Sequence, residues 1–291
     1  MGERLGAWFP AAFTPGGPRL PNDAQFQHAF AGLVMLADWL GSHRAFFPFS
    51  NGHDPDRMAF ARQAARKAVA AVGLAVAKTR AAVRVAQAPF ARMFPFVPNP
   101  MQDAVGSLTG SRLAIIEAET GSGKTEAALW RFKQLFADGE VDGLYFALPT
   151  RIAATQIHRR VCDAVARLWP DDGRPRALLA VPGYVKVDDA EARGILPGFE
   201  VLWADKPDEV EAHRRWAAEN PKRFLAAQIA VGTIDQALVS NLQVRHAHLR
   251  SAALLRHLLV VDEVHASARA GIDLTLGLDI KFSFGSPARA G

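Results

Sequence analysis

The chain has 291 residues, about half of them apolar, with a formal net charge of +5 and a pI of about 9.6. That is enough for one large domain or two ordinary ones around a real core. It has no run of about 18 uncharged apolar residues to cross a membrane, no signal-peptide pattern at its start, and a single cysteine, Cys162, so an internal disulfide or a cysteine-based zinc site is excluded. A cytoplasmic protein without membrane contact is expected.

In chain order, residues 22–42 predict a helix: Asn22 or Asp23 caps it, Leu33, Leu36, Trp39 and Leu40 give it an apolar side, and Gly41-Ser42 ends it. A loop rich in turn formers follows. Between Arg57 and Gln102 there are eight lysines and arginines and no acidic residue. On one continuous helix Arg62, Arg66, Arg80 and Arg84 would share a face, although Gly73 is placed to end a first helix. Two readings stay open for this segment, a solvated alanine-rich helix pair or a basic surface facing DNA. The three prolines of residues 94–102 mark a domain boundary. Beyond it, apolar strand candidates at 112–117, 143–148, 177–181, 228–232 and 257–261 alternate with helical patterns, as in a parallel α/β sheet. Residues 170–224, rich in proline and charge, resist assignment; Trp203 and Trp216 there are expected in a core.

The stretch AETGSGKT, residues 118–125, fits a phosphate-binding loop, with Ala118 where the commonest form has glycine. Its glycines allow backbone N–H groups from Thr120 through Gly121, Ser122 and Gly123 to Lys124 to converge on phosphates at a helix N-terminus. Lys124 would reach the β- and γ-phosphates and the Thr125 hydroxyl would take a place on Mg²⁺. Further along, LLVVDEVH (258–265) reads as a buried strand with Asp262 and Glu263 at its carboxyl end, where ligands bind in open parallel sheets. Asp262 would hold Mg²⁺ and Glu263 would polarise the attacking water. The bound molecule is then a nucleoside triphosphate with Mg²⁺.

Asp-Glu-Val-His, residues 262–265, resembles the second motif of superfamily 2 helicases, in which His265 would link the nucleotide site to a partner domain. Other segments resemble that superfamily in the same order. NPMQ is similar to the glutamine motif, in which Gln102 would read adenine. ALPTRIAATQIHRRV is similar to motif Ia, in which Thr150 and Arg151 would grip nucleic-acid phosphates. VGTIDQAL is similar to the Gly-Thr motif, in which Thr233 would touch the strand, unless it simply caps a strand end.

The segments HAFAGLVMLADWLGS, FARMFPFVPNPMQ and VGTIDQAL, together with VRHAHLRSAALLRHLLVVDEVHAS, resemble the CRISPR-associated helicase-nucleases recruited by Cascade-type surveillance complexes. The resemblance implies an α/β fold: a RecA-like P-loop domain with a parallel sheet, preceded by an all-α remnant of an HD nuclease domain. The implied division is 1–56 for that remnant, 57–93 for a basic helical linker and 94–291 for the first RecA-like domain, truncated at both ends. Asp38 would correspond to the aspartate that closes the HD site for a divalent transition metal. A lone carboxylate makes no metal site, however, and His28 reads as an ordinary helix residue. The implied partners are single-stranded DNA and a Cascade-type complex. The expected function is an ATP-dependent helicase half-motor attached to a metal-dependent nuclease, weak or inactive alone. A generic superfamily 2 helicase or restriction translocase, and a catalytically dead nucleic-acid-binding remnant, are the alternatives.

Overall fold

A computed structural model describes residues 2–17, 19–49, 57–86, 88–110, 113–169, 173–181, 184–195, 200–241 and 246–263. The helices are α1 (Gly2–Trp8), α2 (Ala24–Gly41), α3 (Arg57–Ala71), α4 (Ala77–Ala86), α5 (Phe90–Met93), α6 (Pro100–Gly106), α7 (Lys124–Asp138), α8 (Arg151–Leu168), α9 (Glu209–Arg214), α10 (Ile234–Leu238) and α11 (Ala247–Leu254). The strands are β1 (Gly143–Leu148), β2 (Ala177–Val181), β3 (Tyr184–Val187), β4 (Ala190–Ile195), β5 (Glu200–Trp203), β6 (Ile229–Thr233) and β7 (His257–Val261).

These strands form one sheet in the order β5-β4-β3-β2-β6-β1-β7. β2, β6, β1 and β7 run parallel, and β3, β4 and β5 continue the sheet antiparallel. The antiparallel ribbon and the turns at Trp216–Glu219 and Pro221–Ala226 fill most of the stretch that the sequence left unassigned. Continuous apolar runs suit strands covered on both faces. In β1 the alternation is explicit: Leu144, Phe146 and Leu148 join a core with Phe132 and Phe136 of α7 and Val161, Val165 and Leu168 of α8. Tyr145 and Ala147 point the other way, into a core with Trp216, Phe224 and Leu225. Leu40 of α2, Ala68 of α3 and the following Val72 belong to that second core, so the N-terminal helices lie on the sheet rather than apart from it. Trp216 is buried and Trp203 packs against this core, as expected for core residues.

One expected strand is corrected. Residues 113–117 take no strand conformation, and Ile115 is 66% exposed. An apolar run becomes a strand only when a ladder satisfies its backbone groups. Both edges of β1 are already taken by β6 and β7, and the segment does not pair with the outer edge of β7.

The basic segment is two helices broken near Gly73, whose φ is +79°. Many of its arginines tie segments of the fold together. Arg80 donates to the carbonyls of Phe136 (2.8 Å) and Val141 (2.9 Å) and pairs with Asp142, while Arg84 donates to the carbonyl of Ala137. Arg62 and Arg57 donate to the carbonyls of Trp8 and Pro48, and Arg92 to that of Arg167. A cation on the carbonyls that end α7 also complements the helix dipole. Arg256 donates to Asp142 from β7's side at 3.0 Å. Burial raises the Asp142 carboxyl, but the bonds from Arg256 and Arg80 outweigh it and hold the group below the usual carboxylate range. Charge-assisted bonds of this kind contribute on the order of 1–3 kcal/mol each before solvent screening.

Helix α2 lies against α11 so closely that a Cβ on Gly32 would fall 1.9 Å from the carbonyl oxygen of His248. Histidines pair at this contact and again just past the end of α2, against α9. The His28 and His248 rings meet edge to face with centroids 4.0 Å apart, and His43 and His213 lie 5.5 Å apart. Burial, then the neighbouring His248, lowers the pKa of His28; burial, then His213 and Arg223, lowers that of His43. Burial also lowers His158 and His257, whose rings meet the carbonyls of Ala177 and Ala227. Each of these groups binds a proton more weakly folded than unfolded. Their stabilising contribution is therefore complete above the unfolded value of about 6.5 and is lost as pH falls below it. Denaturant titration at pH 7.5 and 5.5 should give a lower unfolding midpoint at pH 5.5. Equal midpoints would show that these rings are not held neutral.

Candidate nucleotide site

The loop at 118–125 ends in a sharp reversal into α7. Gly121 and Gly123 have φ of +83° and +86°, a left-handed backbone that glycine adopts at no steric cost, and Gly123 is the N-cap. Thr125 is 7% exposed in the first turn. The Lys124 ammonium folds back to donate to the carbonyls of Ala118 (2.7 Å) and Glu119 (2.9 Å). Ser122 closes a backbone turn to Glu119, and its buried hydroxyl has no hydrogen-bond partner. Thr120 and Gly121 are exposed. A left-handed cap, an ammonium resting on loop carbonyls and an unpartnered hydroxyl fit a phosphate with Mg²⁺ on Thr125.

A second element braces the loop from behind. Asn99 caps α6, with its side chain accepting from the Gln102 N–H while Gln102 Oε1 accepts from the Asn99 N–H, both at 2.9 Å. The remaining amide groups of both residues reach the loop: Asn99 Nδ2 donates to the Ser122 carbonyl at 2.9 Å and Gln102 Nε2 to the Gly123 carbonyl at 3.2 Å. Gln102 is 2% exposed, and both ends of its amide are engaged. A Cβ on Gly123 would fall 2.3 Å from Gln102 Nε2, so the close approach needs glycine.

The other expected residues lie at the carboxyl ends of β1, β6 and β7. Asp262 continues the ladder by donating its N–H to the Ala147 carbonyl at 3.0 Å, and its Oδ1 accepts from the Glu263 N–H at 3.0 Å. Glu263 is exposed at φ +51°, strained for a side-chain-bearing residue. Thr150 caps α8 by accepting from the Ala153 N–H at 3.2 Å, which uses one lone pair and leaves its hydroxyl proton free to donate. Arg151 is exposed beside it. Thr233 pairs in register with Leu148 but is buried, and its carbonyl accepts from the Tyr145 hydroxyl. Among the described residues no bond joins Lys124 or Thr125 to Asp262 or Glu263. His265 lies outside the described residues.

Two participants, Asn99 and Arg160, were not expected from the sequence, whereas Gln102 was, as a reader of adenine. The Asn99–Gln102 pair was legible as a capping box, from its three-residue spacing ahead of a helix. Arg160 was not: it comes from the middle of α8 to Thr125 and Glu126, and no spacing announces a contact 35 residues away.

Residues 2–47 match the family described as the HD domain of Cas3. The chain is 32% identical over 274 residues to the CRISPR-associated endonuclease/helicase Cas3 of Thermus thermophilus, a match covering 91% of this chain and 28% of that protein. It is 32% identical over 251 residues to the Escherichia coli protein of the same description, covering 81% and 26%. The crystal structure of T. fusca Cas3 superimposes with a TM-score of 0.60 at 30% identity, over 90% of this chain and 28% of that one. Over most of its length the chain is similar to these CRISPR-associated helicase-nucleases. It spans little more than a quarter of the length of these relatives.

Within the family's HD stretch, Asp38 is exposed on α2, and among the described residues no group of three or more His, Cys, Asp or Glu side chains could hold a metal ion. The described residues do not by themselves make a nuclease metal centre. His28, also on α2, is engaged with His248 instead. The lone Cys162 is half-buried and its thiol pKa is pushed up to about 12, chiefly by burial, so it stays protonated.

Replacing Gln102 with Ala should weaken ATP and GTP binding alike, by about tenfold, because the loss of a cap and a loop brace acts on the phosphates. Parallel titrations of the two nucleotides check this; weakening of ATP alone would mean that the amide reads adenine.

Proposed function

We propose that the chain is the nucleotide-binding part of an ATP-dependent DNA helicase or translocase, coupled to a metal-dependent nuclease in CRISPR interference. The observation that carries the reading is the Lys124 ammonium resting on its own loop's carbonyls beneath the left-handed Gly123 cap, where a phosphate would take their place. Lys124 would hold the β- and γ-phosphates, with loop N–H groups from Thr120 to Gly123 completing the cradle. Thr125 and Asp262 would hold Mg²⁺, which when bound neutralises charge on the transferring phosphoryl group. Glu263 would orient the attacking water and His265 would relay the state of the site to a partner domain.

Thr150 and Arg151 lie at the exposed start of α8, the usual geometry for gripping nucleic-acid phosphates without reading sequence. Thr233 would join them only if its turn opened, since its side chain is covered. Single-stranded DNA and a Cascade-type complex are the partners of this reading. The proposed division is a nuclease-derived segment at 1–56, a basic linker at 57–93 and a RecA-like domain at 94–291. A transition metal would belong to the nuclease of the whole protein, completed by ligands other than Asp38. A generic helicase does not account for the match at residues 2–47.

For this chain alone the expectation is binding of Mg-ATP with slow turnover. Calorimetric titration should show binding that Lys124→Ala weakens by about 10- to 100-fold, the loss of one or two charge-assisted bonds. Affinity unchanged by Lys124→Ala would refute the site, and fast turnover abolished by the same change would refute the half-motor reading.

A further inference from the structure

Arg160 stands on the outer side of α8 with its side chain 47% exposed, yet its guanidinium is committed at both ends. One nitrogen donates to Thr125 Oγ1 at 3.2 Å and another pairs with Glu126, whose side chain is 14% exposed. Thr125 itself is buried. A cation therefore already sits on the hydroxyl that the proposed function gives to Mg²⁺. A threonine oxygen has two lone pairs and one proton, so it can accept from an arginine and still bind a metal, but the two positive charges would then share one atom.

We infer that Arg160 is a positioning residue that sets the metal requirement of this site: it holds the Thr125 hydroxyl when no metal is present and opposes a metal that takes the same oxygen. The inference rests on the reading of residues 118–125 as a nucleotide site. Its charge has two effects with the same sign. Without metal, the guanidinium beside the first turn of α7 attracts the phosphates and supports metal-free binding. With metal, it repels the incoming cation. Both make the gain in nucleotide affinity on adding Mg²⁺ smaller than the loop alone would give. Glu126 works the other way, since its carboxylate neutralises Arg160 and favours a cation nearby. Because Arg160 lies on the helix that begins at Thr150, the strain of displacing it would be felt by the element proposed to grip DNA.

The experiment measures the dissociation constant of a fluorescent ATP analogue (the N-methylanthraniloyl derivative) in EDTA and in excess Mg²⁺, and compares the ratio of the two among variants of the whole chain. Arg160→Gln should raise that ratio by about fivefold, from removal of one solvent-screened charge, and Glu126→Gln should lower it. A purely structural role would move both variants the same way, by damaging the loop. Unchanged ratios in both, or shifts in the same direction, would overturn the inference while leaving nucleotide binding that depends on Lys124 intact. Failure of the unmodified chain to bind the analogue in a Lys124-dependent way would instead overturn the nucleotide reading, and this inference with it.

Discussion

Strand β1 has six residues, all of them buried, and both of its edges are bonded, to β6 and to β7. The rest of the chain is arranged around that constraint. Its alternating side chains divide the interior into two cores, one under α7 and α8 and the other under the N-terminal helices and the turns at 216–226. Its carboxyl end delivers Thr150 to the cap of α8 and its Ala147 carbonyl fixes the Asp262 backbone. A substitution that tilted β1 would therefore disturb both cores and the acidic turn together.

Basic side chains in this chain also serve as internal ties. A net charge of +5 and an uninterrupted basic run suggest a polyanion as partner. The structure gives Arg57, Arg62, Arg80, Arg84 and Arg92 to backbone carbonyls, and Arg80 shares Asp142 with Arg256. Arginine suits this work because its fork of donors can reach two carbonyls and a carboxylate at once. A bond to a carbonyl leaves the guanidinium charge in place, so Arg62, Arg66, Lys67, Lys78, Arg84 and Arg92 still present positive charge at the surface.

What could be read from the sequence follows from how local its causes are. The strands at 143–148, 177–181 and 257–261 came out where expected, because a continuous apolar run between turn residues has few other uses. The turn at 118–125 into α7 was legible because glycines at fixed offsets encode a backbone shape directly. The expected strand at 112–117 failed because strand formation needs a partner edge, which no local pattern guarantees. The antiparallel ribbon of β3, β4 and β5 was missed because its short strands mix charged with apolar residues and show no continuous apolar run. Arg160, the His28–His248 contact and the brace of Gln102 on Gly123 depend on the tertiary fold, and the sequence carries no trace of them.

In the loop itself, polar groups that would otherwise lack partners are satisfied internally: the ammonium of Lys124 by Ala118 and Glu119, the hydroxyl of Thr125 by Arg160. These two groups should exchange those bonds for bonds to phosphate and metal when a nucleotide arrives, while the buried Ser122 hydroxyl has no bond to give up. Amide hydrogen exchange across residues 119–125, compared with and without Mg-ATP, tests this most directly. The account predicts marked slowing of exchange at these amides and little change in the buried strands β1 and β6. Exchange in the loop that is indifferent to Mg-ATP would contradict it.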